Sequence, residues 1–195
     1  MRVRTLWVLL VALVIALPLS AGPVVFTFDD IDTGGSIVAM PAGYAGIDWP
    51  TNFGVYGWNE SPYNPHSAPN KVLVNRGDEP NPTYLFSFIT PGVTIFVGAW
   101  FSGWTEVSFD LYRQGVLVHS SVTLATSGTP AFLASGYNGV VDSVTINGQG
   151  GLYVFDDLTL DRAGVPEPAS LALFALGGAL LAFMRGRARA KLRKD

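Results

Sequence analysis

From Val24 to Leu160 no stretch carries an apolar period of 3.6 residues. What recurs instead is short alternation stopped by Gly, Pro and Asn, which argues against a helical bundle. Val24 to Phe28 alternates and ends at Asp29-Asp30. Tyr84 to Ile89 and Val93 to Phe101 are β-branched and aromatic runs split by Thr90-Pro91-Gly92. Val107, Phe109 and Leu111 alternate with Ser108, Asp110 and Tyr112, the period of a half-buried strand. Arg113-Gln114-Gly115 turns the chain into Val116 to Leu124, and Val140 to Ile146 and Leu152 to Leu160 flank a Gly-rich hairpin loop at 147–151. Many short strands with frequent turn signals predict an all-β domain, a β-sandwich of jelly-roll type. Residues 57–82, rich in Pro, Asn and Gly, read as mostly loop. The chain has no cysteine, so its core must hold without disulfides, and thiolate chemistry is excluded.

The two ends obey different physics. Met1-Arg2-Val3-Arg4 is a charged start, Leu6 to Leu17 an apolar run, and Pro18-Leu19-Ser20-Ala21 a helix break with small residues. Residues 1–21 therefore read as a signal peptide for signal peptidase. At the other end Ala163 to Pro168 form a linker closing on Pro166-Glu167-Pro168. Residues 169–184 carry no charge and read as a transmembrane helix, about 16 residues against the ~17–25 of a usual span. Residues 185–195 are a basic tail, which fixes that side as cytoplasmic and places Pro166-Glu167-Pro168 outside. Two prolines around one Glu hold the backbone extended, accessible to a processing enzyme.

Pro166, Glu167 and Pro168, the apolar run and the terminal Arg cluster together resemble the PEP-CTERM sorting signal of Gram-negative bacteria. The resemblance implies an inner-membrane anchored precursor, a membrane-embedded exosortase that cuts near the motif, and a product at the cell surface or in the extracellular matrix. Phe28-Asp29-Asp30, the run Pro41 to Trp49, Asn70-Lys71-Val72 with Asn75, Gly98-Ala99-Trp100 and Phe155-Asp156-Asp157-Leu158 are similar to an extracellular domain often carried by PEP-CTERM proteins. That resemblance implies a carbohydrate-binding-like sandwich and no transferable activity.

The mature domain, residues 22–162, holds 13 acidic and 4 basic residues, a formal charge of −9. Such a domain does not attract phosphate backbones, so nucleic acid is not an expected partner. The paired carboxylates Asp29, Asp30, Asp156 and Asp157 are candidate ligands for a structural calcium ion, provided that the first and last strands run side by side. The bland reading of each pair is a solvated sheet edge or turn cap. Aromatic residues crowd between Tyr44 and Tyr63. Trp49 reads as core; Trp58 and Tyr63 in the Pro-rich loop, and Trp104 beside Ser102-Gly103, are candidates for stacking on sugar faces. Trp100 reads as core. His66 and His119 belong to no catalytic or metal motif, so the domain is not expected to be an enzyme.

The expectation is an exported, non-catalytic protein that binds or organises extracellular polysaccharide. Its alternatives are a secreted glycan-active enzyme and a purely structural or adhesive domain. Replacing Pro166, Glu167 and Pro168 with alanines should leave the protein in the inner membrane, because the recognition element is lost while the apolar run and basic tail still anchor. Fractionation of producing cells checks this, and normal release of the triple variant is the contrary result.

Overall fold

The computed structural model describes residues 22–74, 84–163 and 177–178. Ala21 to Ala163 form one compact unit. Residues 1–20 and 164–195 form a second, of which Gly177 and Gly178 are described, both helical and exposed. Among the described residues no helix is long and apolar enough to cross a membrane. The expected signal peptide, the Pro166-Glu167-Pro168 motif and the expected span apart from Gly177-Gly178 lie outside the described residues.

The described strands are β1 Val24–Phe26, β2 Val38–Ala39, β3 Ile47–Asp48, β4 Phe53–Tyr56, β5 Lys71–Val74, β6 Leu85–Phe88 and β7 Thr94–Gly103. They continue with β8 Glu106–Arg113, β9 Val116–Ser120, β10 Leu124–Ala125, β11 Ala131–Ala134, β12 Ser143–Asn147 and β13 Tyr153–Arg162. One sheet has the order β11-β7-β13-β5-β4-β2, with β1 also on β13; the other has the order β10-β8-β12-β6-β3, with β9 also on β8. The strand pairs are antiparallel, and the two sheets bury one aromatic core: this is the all-β sandwich expected from the alternation.

Alternation explains the layering. In β8, Val107, Phe109 and Leu111 are buried while Glu106, Ser108, Asp110 and Tyr112 are not. In β12, Val144 and Ile146 face the same core. The two longest strands, β7 and β13, pair along their length, and both change parity at one level. In β7, Phe96 is buried in the core before Gly98, and Ala99 and Phe101 are buried after it. Gly98 is obligatory there: its φ is 151°, and a Cβ would stand 2.2 Å from the Leu133 carbonyl oxygen. In β13, Phe155 and Leu158 share the core, and between them the register shifts with Asp157 at φ 49°. This is a β-bulge, and it re-aims the Asp156-Asp157 pair out of the core.

Two expectations are corrected and one is refined. Of residues 57–82, expected to be mostly loop, 57–70 hold no strand, while β5 follows them between β13 and β4. Its sequence, Lys-Val-Leu-Val, hides a strand behind a charged first residue. The run Val116 to Leu124 is broken into β9 and β10. Trp100 leaves the core: it shares the outer face of β7 with Ser102 and is partly exposed.

Trp49 sits where the sequence placed it. Its ring lies 5.1 Å from that of Phe86 and 5.4 Å from that of Phe53, and its Nε1–H donates to the Tyr44 carbonyl at 2.9 Å. Trp49→Ala opens a cavity at the centre of this cluster and should cost about 3–5 kcal/mol, read by denaturant unfolding. A loss below about 1 kcal/mol would mean that the indole is peripheral.

Candidate functional site

The outer face of the larger sheet carries Lys71 and Tyr56, which are cross-strand partners, and Ser102, Trp100 and Asp156. Residues 57–70 cross over this face and are tied to it at both ends. Near the start, the buried Lys71 ammonium donates to the Trp58 carbonyl and lies 4.2 Å from the centre of the Tyr56 ring. Tyr56 in turn packs against Trp58 at 4.4 Å between ring centres. Lys71 is 0% exposed, and burial pulls its pKa below the usual lysine value, against the pull of Glu60 and Asp156. The carbonyl and the ring face thus solvate a cation that water does not reach. The Trp58 Nε1–H points to Glu60 Oε2 at 3.4 Å.

At the other end, Ser67 is the centre. Its backbone N–H donates to Asp156 Oδ2 at 2.8 Å. Its hydroxyl lies 2.7 Å from Asp157 Oδ1 and 3.1 Å from Asp156 Oδ2; with one hydrogen to give, it serves the nearer Asp157. The His66 Nδ1–H donates to Asp157 Oδ2, and the imidazole stacks on Trp100 at 3.5 Å and 10°. Asp156 is 2% exposed. Burial is the largest cause of its raised pKa, opposed by the Ser67 N–H and reinforced by Asp157, and the carboxyl is pushed up to about 7.

The other acidic pair meets the same segment. The Asn70 N–H donates to Asp29 Oδ1 at 2.9 Å, and its side-chain amide donates to the carbonyls of Phe28 and Ile31. Asp30 Oδ1 accepts from the Tyr44 hydroxyl at 2.7 Å. Strands β1 and β13 do run side by side, with Phe26 opposite Leu158. Asp29, Asp156 and Asp157 therefore approach residues 66–70 from both sides, while Asp30 turns to Tyr44; N–H and O–H groups meet both oxygens of Asp156 and Asp157 and one of Asp29 and Asp30. Among the described residues no three His, Asp or Glu side chains gather with the geometry to hold a metal ion. As arranged, these carboxylates form a hydrogen-bonded clamp on residues 66–70.

The three sequence-predicted stacking residues lie on or beside this segment. Trp58 is 38% exposed and Trp104 is 71% exposed. Tyr63 is half-buried, with its hydroxyl on the Gly151 carbonyl at 3.1 Å; the Trp104 N–H takes the next carbonyl, Leu152, at 2.8 Å. The Tyr63 hydroxyl and the Trp104 backbone thus both meet the 151–152 turn, while the Trp58 ring packs on Tyr56 and its indole N–H faces the Glu60 carboxylate. Sequence reasoning missed Ser67, Lys71 and the pairing of His66 with Asp157. His66 and Asp157 are 91 positions apart, and nothing local marks them as partners.

The sequence profile of the PEP-CTERM protein-sorting motif matches residues 164–189, so the chain carries that motif and is an exported protein. No curated protein matches the chain. Among solved structures, a carbohydrate-binding module, TmCBM61 in complex with beta-1,4-galactotriose, is similar over 63% of this chain and 95% of its own, at 20% identity and a TM-score of 0.33.

Asp156 holds its proton more tightly in the folded chain than in the unfolded one. Its contribution to stability is therefore full below about pH 4 and is lost as pH rises toward about 7, falling by ~1.36 kcal/mol for each pH step crossed. Asp156→Asn keeps the shape and has no proton to lose. The variant should gain on the native protein in melting temperature between pH 4 and pH 8, and parallel curves over that range would contradict a buried, raised carboxyl.

Proposed function

We propose that the protein is an exported, non-catalytic sandwich that binds extracellular polysaccharide at the cell surface or in the matrix of a Gram-negative bacterium. The observation that carries this reading is Trp104, a 71%-exposed indole on the short β7–β8 turn, whose backbone meets the same 151–152 turn as the Tyr63 hydroxyl, with Trp58 exposed on the crossing segment. Flat apolar rings with polar edges suit the faces and hydroxyls of sugar rings. The clamp at Ser67 and the buried Lys71 hold the segment before any ligand arrives, so little ordering is needed on binding. Processing by signal peptidase and by an exosortase-type enzyme belongs to the same proposal, and the sorting motif supports the second.

A glycan-active enzyme is the rival. It would draw on Asp156, whose carboxyl has the raised pKa of a general acid. Against that role, the group is 2% exposed and lies beneath Ser67, out of reach of a substrate.

A glycan array probed with residues 22–163, with and without calcium, tests the proposal. Trp104→Ala and Trp58→Ala should each weaken binding about tenfold, the effect of about 1.4 kcal/mol of lost contact, with little change in melting temperature. Binding to no glycan would favour the structural or adhesive alternative, and release of reducing ends from a bound glycan would favour the enzyme. A melting temperature that rises with calcium and falls with chelator would place calcium at the four aspartates.

A further inference from the structure

At the end of the sandwich where β1, β6, β7 and β13 meet, a cavity of about 360 Å³ opens among residues that belong neither to the 57–70 segment nor to its clamp. Its size is in the ~300–1,000 Å³ range of small-molecule sites. Val24, Phe26, Phe88, Val93 and Leu160 give it apolar walls, and Thr90, Thr94, Asp161 and Arg162 bring polar groups to it. Val24, Val25 and Ile89, all more than half exposed, belong to the same stretches of chain.

The charges decide what fits. Leu160 is a core residue, so strand alternation puts Arg162 on its side of β13, and Asp161 lines the cavity beside it. Asp161 Oδ1 is further engaged by the Arg162 backbone N–H at 2.7 Å. The Arg162 guanidinium makes no ion pair among the described residues, although the domain has a formal charge of −9. A guanidinium without an ion pair among the described residues, at the rim of a largely apolar cavity, suits an anionic head on an apolar body. Neither a sugar, which lacks an extended apolar body and an anionic head, nor a cationic amphiphile matches this pairing.

We propose that this cavity binds a single-chain anionic amphiphile, with a fatty-acid carboxylate as the simplest case. The alkyl chain lies among Phe26, Phe88, Val93 and Leu160, and the carboxylate meets Arg162. The site is independent of glycan binding, and either can stand without the other.

The test is calorimetric titration of the exported protein, recovered from producing cells, with hexanoate, octanoate and decanoate below their micelle concentrations. One molecule should bind, with affinity rising about fourfold per added methylene until the cavity is full. Arg162→Gln should weaken decanoate about tenfold and leave decanol unchanged, since only the carboxylate uses the guanidinium. Val24→Trp and Thr90→Trp each put a large ring at the cavity from an exposed position. Both should abolish decanoate binding while the melting temperature holds. No binding, binding without chain-length dependence, or undiminished binding in both tryptophan variants overturns the site. Decanol binding as tightly as decanoate to the native protein overturns the role of Arg162.

Discussion

The pairing of β7 with β13 is the spine on which the other elements depend. Each strand has ten residues, and β13 receives β1 and β5 on its other side. The two strands bulge at the same level, so the core stays aromatic above and below the break, with Phe96 and Leu160 on one side and Phe101 and Phe155 on the other. A regular strand would carry Asp156 and Asp157 to opposite faces, one of them into the core. The bulge avoids a buried unpaired charge and delivers both carboxylates to the face that residues 57–70 cover. Gly98 makes this possible, since its missing side chain is what admits the Leu133 carbonyl.

That outer face is unusual in holding three buried charged side chains, Lys71, Asp156 and Asp157. Burying a cation or a carboxylate costs several kcal/mol unless partners replace its water. Lys71 has the Trp58 carbonyl and the Tyr56 ring; Asp156 has the Ser67 N–H and the N–H of Asp157. The same partners hold the crossing segment down. A stretch with three prolines and three asparagines is thereby fixed in one conformation, with the exposed Trp58 on its outer side.

The sorting motif and the folded domain occupy separate parts of the chain. Residues 164–189 match the PEP-CTERM protein-sorting motif, a Pro-Glu-Pro triplet, an apolar run and a basic end in order along the sequence. Residues 21–163 form a compact unit with its own core. The acidic character of the domain follows from its composition, and the one cation at its terminal cavity, Arg162, acquires meaning only from the apolar walls around it.

Sequence alone determined what is local. Period-two alternation in β8 and β12, the turn at Thr90-Pro91-Gly92 and the apolar and basic tracts at the ends are all read from neighbours in the chain. They sufficed for an all-β sandwich, for Trp49 in its core and for Trp104 at its surface. Tertiary structure decided what is distant. The sequence marked Asp156 and Asp157 as a pair, but not that β13 would bulge there, nor that Ser67 and His66 would cross about ninety positions to meet them. It read Trp100 as core because a buried and an outward indole look alike in a strand; the parity change at Gly98 settles the matter. It passed over β5 because Lys71 looks like a surface residue until Tyr56 and Trp58 close around it. Local pattern follows from backbone sterics and burial of alternate side chains. Long-range polar pairing depends on register, and a shift of one residue between two strands reassigns every partner.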